Sequence, residues 1–194
     1  MLGLILCGGK SSRMGTDKGL LKLEAKTWAQ TAVDKFIELN IPVKLSVNKD
    51  QYAEYSSVFP VEDLIIDDDS LSLRGPLLGL LSAHIKNPND SIFLLACDMP
   101  LMETDVLKEL LHHCTENADG DAFVFTNDGE PEPLCGIYKS TGLSAVLSML
   151  QSGQLSKHSM KFMLEHINTF SFPLREEQKK CFRNFNAHAE LNGM

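Results

Sequence analysis

No run of apolar residues in this chain reaches the roughly 18 needed to cross a membrane. The first residues, Met1-Leu2-Gly3-Leu4-Ile5-Leu6, carry neither a basic leader nor a long apolar stretch, so a signal peptide is not expected. The six histidines lack H-E-x-x-H or any comparable ligand spacing, which argues against a structural zinc site. The five cysteines (Cys7, Cys97, Cys114, Cys135 and Cys181) are odd in number and form no C-x-x-C, so they are read as reduced thiols of a cytoplasmic protein. Positive charge is in deficit: 18 Lys and Arg face 26 Asp and Glu, for a formal net charge of -8. That balance argues against a nucleic-acid partner, whose binders usually carry a basic face. There is no internal repeat, low-complexity run or linker, so the 194 residues are expected to form a single domain, 1–194.

What is present is a regular alternation of short apolar runs and longer helical patterns. Gly3 to Cys7, Val43 to Val47, Leu64 to Ile66, Ser91 to Ala96, Ala122 to Thr126, Leu134 to Tyr138 and Ile167 to Phe172 read as strands. The run Ile92-Phe93-Leu94-Leu95-Ala96 is apolar throughout, the habit of a strand buried on both faces of a parallel sheet. Helices are predicted over Thr27 to Leu39, Leu77 to Ile85, Thr104 to Cys114 (Thr104 as its N-cap), Ser140 to Gln151 and Ser156 to Glu165, with a short one over Ala187 to Leu191. Strand and helix alternate throughout, which predicts an α/β fold with a doubly wound, mostly parallel sheet. Ligands of such sheets gather at the carboxyl ends of the strands.

Two segments place chemistry there. The first strand runs into Leu6-Cys7-Gly8-Gly9-Lys10-Ser11-Ser12-Arg13-Met14-Gly15-Thr16-Asp17-Lys18. Glycines let backbone N–H groups approach an anion, and Lys10, Arg13 and Lys18 add cationic heads. It is not a Walker A loop, because Gly3 lies one residue too far from Gly9-Lys10-Ser11, and G-x-G-x-x-G fails as well. A tight strand-to-helix turn with solvated lysines is the plainer reading; Arg13, Lys18 and Gly15 favour phosphate binding over it. The second segment is Ala96-Cys97-Asp98-Met99-Pro100. Asp98 closes the most apolar strand, where a carboxylate either caps a turn before proline or holds magnesium against substrate phosphates. Asp67-Asp68-Asp69 precedes Gly75-Pro76-Leu77; at least two of these carboxylates are read as a solvated turn. Cys7 and Cys97 read as small buried residues, one of His112 and His113 as exposed, and Arg175 to Arg183 as wet surface with a weak claim on a second phosphorylated substrate.

Together these segments resemble the molybdopterin nucleotidyltransferases, and most of all the guanylyltransferases of the molybdenum cofactor. Their opening pattern L-A-G-G-x-S-x-R-M-G-x-D-K is matched from Leu6 to Lys18 with Cys7 the sole mismatch. Ser46-Val47-Asn48, Asp68/Asp69 to Leu77, Ala96 to Leu101, Glu132 to Tyr138 and Asn184-Phe185-Asn186 follow in the family's order. Departures are Ala25-Lys26-Thr27-Trp28 for G-K-P-L, Lys157-His158-Ser159-Met160-Lys161 for paired arginines, and Ala187-His188 after Asn186. The resemblance implies a Rossmann-like nucleotidyltransferase fold. It implies transfer of GMP from GTP to the phosphate of molybdenum-molybdopterin, with Mg2+ as cofactor and pyrophosphate as product. Arg13 and Lys18 would then meet the triphosphate. Backbone from Leu6, Cys7, Gly8 and Gly9 would lie near the nucleotide, with Asn48 and Asp68 or Asp69 at the nucleoside and Asp98 on the metal. Other cofactor-biosynthesis proteins and an apo-molybdoenzyme are the implied partners. Transfer of CMP to the same cofactor is the near alternative, disfavoured by Cys7-Gly8-Gly9 and Met99. A non-catalytic nucleotide- or pterin-binding accessory protein is the far one.

Overall fold

Leu2-Gly3-Leu4-Ile5-Leu6 and Ile92-Phe93-Leu94-Leu95-Ala96 are buried along their whole length in a computed structural model, which describes residues 1–8, 17–23 (the Leu23 side chain apart) and 25–185. The first is β1 (Leu2–Leu6). A short pair, β2 (Lys22–Leu23) and β3 (Lys26–Thr27), leads into α1 (Trp28–Glu38). Then come β4 (Val43–Val47), α2 (Tyr52–Tyr55), β5 (Leu64–Ile66), α3 (Pro76–Lys86), β6 (Ile92–Ala96) and α4 (Thr104–Glu116). The chain continues through β7 (Ala122–Asn127), β8 (Glu130–Tyr138), α5 (Ser140–Gln151), α6 (Met160–Leu164) and β9 (Thr169–Pro173). The expected helix over 187–191 lies outside the described residues.

Seven strands form one sheet in the order β5-β4-β1-β6-β8-β7-β9. Within it β8 runs antiparallel to both neighbours, and the remaining pairings are parallel. The sheet is mostly parallel, as predicted, but the alternation is not unbroken. Asn127-Asp128-Gly129-Glu130 closes a hairpin between β7 and β8, with Asp128 at φ 51 and Gly129 at φ 85. Positive φ at both central positions is what a two-residue hairpin turn demands, and Asp-Gly supplies it.

Alternation along the strands feeds two cores. Ile5, Leu45, Val47, Phe93, Leu95, Phe123, Phe125, Cys135 and Ile137 point to the face covered by α1 and α4. Leu4, Leu6, Ile92, Leu94, Ala122, Val124 and Tyr138 point to the face covered by α3, α5 and α6. The sheet is therefore doubly wound. Thr27 caps α1 with a reciprocal box: its Oγ1 accepts from the Gln30 N–H at 3.1 Å, and its own N–H reaches Gln30 Oε1 at 2.8 Å. Gly75, at φ 70, turns the chain into α3, and Pro76 takes the first helical position, where no N–H is needed.

Three expectations need correction. Thr104 is the first residue of α4, and Glu103 holds the cap position without a capping bond. The helix expected from Ser156 shrinks to Met160–Leu164, because Ser159 caps it by accepting from the Phe162 N–H at 3.2 Å. The charge run near the end is not simply wet surface. A 3-10 helix over Glu176–Phe182 buries Gln178, Cys181 and Phe182. Arg175 also clamps Glu109 of α4 through two bonds of 2.8 and 2.9 Å. Of the two adjacent histidines, His112 is exposed, while His113 stacks on Phe172 with centroids 3.8 Å apart. Among the described residues no helix is long and apolar enough to cross a membrane.

Candidate active site

The chain leaves β1 toward β4 and β5 on one side, then returns to β6 on the other. The carboxyl ends of β1 and β6 thus lie side by side where the strand order reverses, the usual ligand position in such sheets. The Cys97 N–H donates to Leu6 O at 3.1 Å, locking the two strand ends together. One residue further, Asp98 lies with its Oδ2 3.8 Å from Lys18 Nζ. Burial pushes the Asp98 carboxyl up, and Lys18 draws it back down. Its Oδ1 is buried and has no hydrogen-bond partner among the described residues. An unspent carboxylate oxygen beside a cation suits a small hard ion that keeps water and draws its other ligands from substrate phosphates.

Beside this pair a cavity of about 430 Å³ opens along the carboxyl ends of β1, β4 and β5. Leu6, Gly8, Ser46, Asn48, Asp67 and Asp69 line one side, and Arg74, Gly75, Pro76, Leu78 and Gly79 the other. Glycine at position 8 leaves room: a Cβ there would stand 3.3 Å from Asp67 Oδ2. Gly79 lets α3 settle onto the sheet, since a Cβ would come within 2.4 Å of Ser46 Oγ and 2.8 Å of Leu6 Cδ2. The N-terminal turn of α3 adds the positive end of its dipole.

The acidic triplet separates into three roles. Asp67 is buried and lines the cavity; its Oδ1 accepts from Ser46 Oγ at 2.6 Å, and burial pushes its carboxyl up against that bond. Asp68 turns instead to the Ser70 N–H at 3.0 Å, which holds its carboxyl down. Asp69 lines the cavity and pairs with Lys49 at 2.7 Å. The structure thus puts Asp67 beside Asp69 in the cavity, where the sequence left Asp68 or Asp69 open. Ser46 one strand over is the signal that distinguishes them, and it lies 21 residues away in the chain.

Among the other expected site residues, Leu6, Gly8 and Asn48 line the cavity, and Lys18 and Asp98 come together one residue beyond the Cys97–Leu6 bond. Cys7 is buried, with its carbonyl facing Gln51. Gly9 and Arg13 lie outside the described residues. Sequence reading missed Asp17, Gln51 and Tyr55, which meet beneath Lys18. Asp17 Oδ1 accepts from the Gly19 N–H at 2.9 Å and from Tyr55 Oη at 2.5 Å, and its Oδ2 accepts from Gln51 Nε2.

Comparison with known proteins agrees with this geometry. The family model described as the MobA-like NTP transferase domain matches residues 3–168. A probable molybdenum cofactor guanylyltransferase of Flavobacterium johnsoniae is 30% identical over 98% of this chain and 94% of its own. A molybdenum cofactor guanylyltransferase of Campylobacter jejuni is 29% identical over 96% of this chain and 91% of its own. The crystal structure of molybdopterin-guanine dinucleotide biosynthesis protein A from Archaeoglobus fulgidus shares the fold, with a TM-score of 0.77 at 23% identity, covering 99% of this chain and 95% of that one. With its glycine loop, the cation–carboxylate pair and a cavity on the carboxyl edge of the sheet, this chain belongs to the MobA-like NTP transferase family of nucleotidyltransferases.

Proposed function

We propose that the chain transfers GMP from GTP to the terminal phosphate of molybdenum-molybdopterin. The observation that carries this reading is the Lys18–Asp98 pair, one residue beyond the bond from Cys97 to the cavity-lining Leu6, with one Asp98 oxygen buried and unspent. A phosphate monoester is largely ionised at neutral pH, so the nucleophile needs no base from the protein. One of its oxygens forms a bond to the α-phosphorus of GTP. The bond from that phosphorus to the β-bridging oxygen breaks, and pyrophosphate leaves with that oxygen and its electron pair. The chain's task is in-line positioning and neutralisation of charge. Lys18 and Arg13 take triphosphate oxygens, and backbone from Leu6 to Gly9 lies along the nucleotide. Asp98 would hold Mg2+, which supplies charge neutralisation on the phosphates.

The lining supports guanine over cytosine. Guanine presents N7 and O6 as acceptors, which an arginine meets with two parallel donors, and Arg74 lines the cavity. Its ring N–H and amino group are donors suited to a carboxylate, and Asp67 and Asp69 line the same space. Delivery of the pterin by other cofactor-biosynthesis proteins, hand-over to an apo-molybdoenzyme and a cytoplasmic setting belong to the same proposal.

The test is pyrophosphate release with molybdopterin and Mg2+, in GTP, in CTP and in an equimolar mixture. The expected result is release from GTP, little from CTP, and none with the metal chelated. Release from CTP in preference to GTP would assign cytidylyl transfer instead. Binding of both ligands without any release would leave an accessory protein.

A further inference from the structure

We propose that Asp17, Gln51 and Tyr55 form a clasp that positions Lys18 and couples it to the nucleoside end of the cavity. The proposal rests on the reading of Lys18 as a triphosphate ligand. Asp17 is the N-cap of the 3-10 turn Lys18–Leu20, so its side chain sets the backbone from which Lys18 projects. Among the described residues, every donor that holds Asp17, the neighbouring Gly19 N–H aside, comes from far along the chain: Gln51 lies 34 residues away and Tyr55 38. Tyr55 is fully buried and Gln51 is 7% exposed. Burial also pushes the Tyr55 phenol up, so its O–H remains a donor across the working pH range. Gly19 is what allows the approach, because a Cβ there would fall 2.1 Å from Tyr55 Oη.

Gln51 is the hub. Its Nε2 donates to Asp17 and, at 2.9 Å, to the carbonyl of Cys7 where β1 ends. The same residue forms a reciprocal pair with Asn48: its N–H reaches Asn48 Oδ1 at 3.0 Å, and its Oε1 accepts from the Asn48 N–H at 2.9 Å. One buried amide therefore joins the first glycine-loop strand, the cavity-lining Asn48 and the turn that carries Lys18. A packing anchor could be made from apolar side chains at no desolvation cost. A carboxylate held by an amide and a phenol instead gives a directional link whose members fail together. Asn48 is thus fixed in register with Lys18, and the nucleoside with the triphosphate.

Calorimetry with Mg2+·GTP, and separately with guanosine, tests the clasp. Tyr55→Phe removes one donor to Asp17; it is expected to weaken GTP about tenfold and leave guanosine unchanged. Gln51→Leu is expected to weaken both ligands. Asn48→Ala and Lys18→Ala should be non-additive for GTP in the wild-type background and additive once Gln51→Leu is present. Phe59→Leu, which removes the ring stacked on Tyr55 at 5.9 Å, controls for lost stability: it should lower the melting temperature and keep the GTP-to-guanosine ratio. If Tyr55→Phe keeps that ratio too, the clasp is only a packing anchor and the proposal falls alone. If the wild-type protein binds no GTP, the triphosphate reading falls and takes the clasp with it.

Discussion

Asp98 carries opposite demands. Its carboxyl is raised by burial before Lys18 lowers it, so the folded chain holds its proton to a higher pH than the unfolded chain does. When the native state binds more protons, stability falls as pH rises between the unfolded and folded values. Asp98 therefore costs the metal-free protein stability above about pH 4, the ordinary carboxylate range, and the cost is complete once pH passes its raised folded value. Asp67, raised by burial as well, acts in the same direction. Replacing Asp98→Asn should raise the melting temperature of the metal-free protein at neutral pH, with the gain vanishing in acid. The same change should lower pyrophosphate release by about a hundredfold or more. A scan of melting temperature against pH, beside the turnover assay, checks both; a variant that melts lower at neutral pH and turns over normally would remove Asp98 from this role. Lys18→Met should shift the acid limb of activity upward, because the lysine is what draws the carboxyl down.

Helix α3 shows how an element shapes the site. Its Gly79 rests against Ser46 Oγ and Leu6, and Ser46 in turn holds Asp67. Gly79→Ala forces a Cβ against the buried side chains of Ser46 and Leu6, an overpacking that typically costs about 1–3 kcal/mol. Lower denaturation midpoints and weaker nucleotide binding should appear together; loss of stability with unchanged binding would show that Asp67 is not part of the nucleotide cavity. Elements of this kind were legible to different degrees. The strands β1, β5 and β6 declare themselves because they carry no polar side chain, β4 by the alternation of Val43, Leu45 and Val47 with Lys44 and Ser46, and Gly75-Pro76 announces α3. The turn at Asn127–Glu130 is equally visible, yet the extended run of β8 from Glu130 is not, because Pro131 and Pro133 interrupt it and its pairing partners lie in other strands. Asp98 could be picked out because a charged residue at the end of an apolar strand is conspicuous, and Lys18 because it stands with Lys10 and Arg13 in a glycine-rich segment. Asp67, Gln51 and Tyr55 could not, since each owes its role to partners 21 to 44 residues away.

Across the whole molecule, chemistry is kept away from sulfur. All five cysteines are buried and free, although Cys7 and Cys97 flank the site. The Cys97 thiol is pushed up by its hydrogen bond with Cys7 and by burial, and the Cys135 thiol by burial. A thiol-reactive probe at neutral pH should therefore label the native protein slowly, and all five sites quickly once it is unfolded. Reductant should leave both the melting temperature and the turnover unchanged. Rapid labelling of native protein at Cys7 or Cys97 would contradict the burial of these two thiols.

The reversed strand also bears on how the sheet comes together in time. Between β7 and β8 only Asp128 and Gly129 separate partners, whereas every other neighbouring pair in the sheet must wait for a longer excursion of the chain. Closing a short loop costs the least entropy, and a hairpin forms in roughly microseconds. The β7–β8 hairpin, on the other side of β6 from the cavity, is thus the first of the sheet's pairings to close. The clasp that joins residues 7, 17 and 51 closes over 34 and 44 residues of chain, and so comes together after the hairpin.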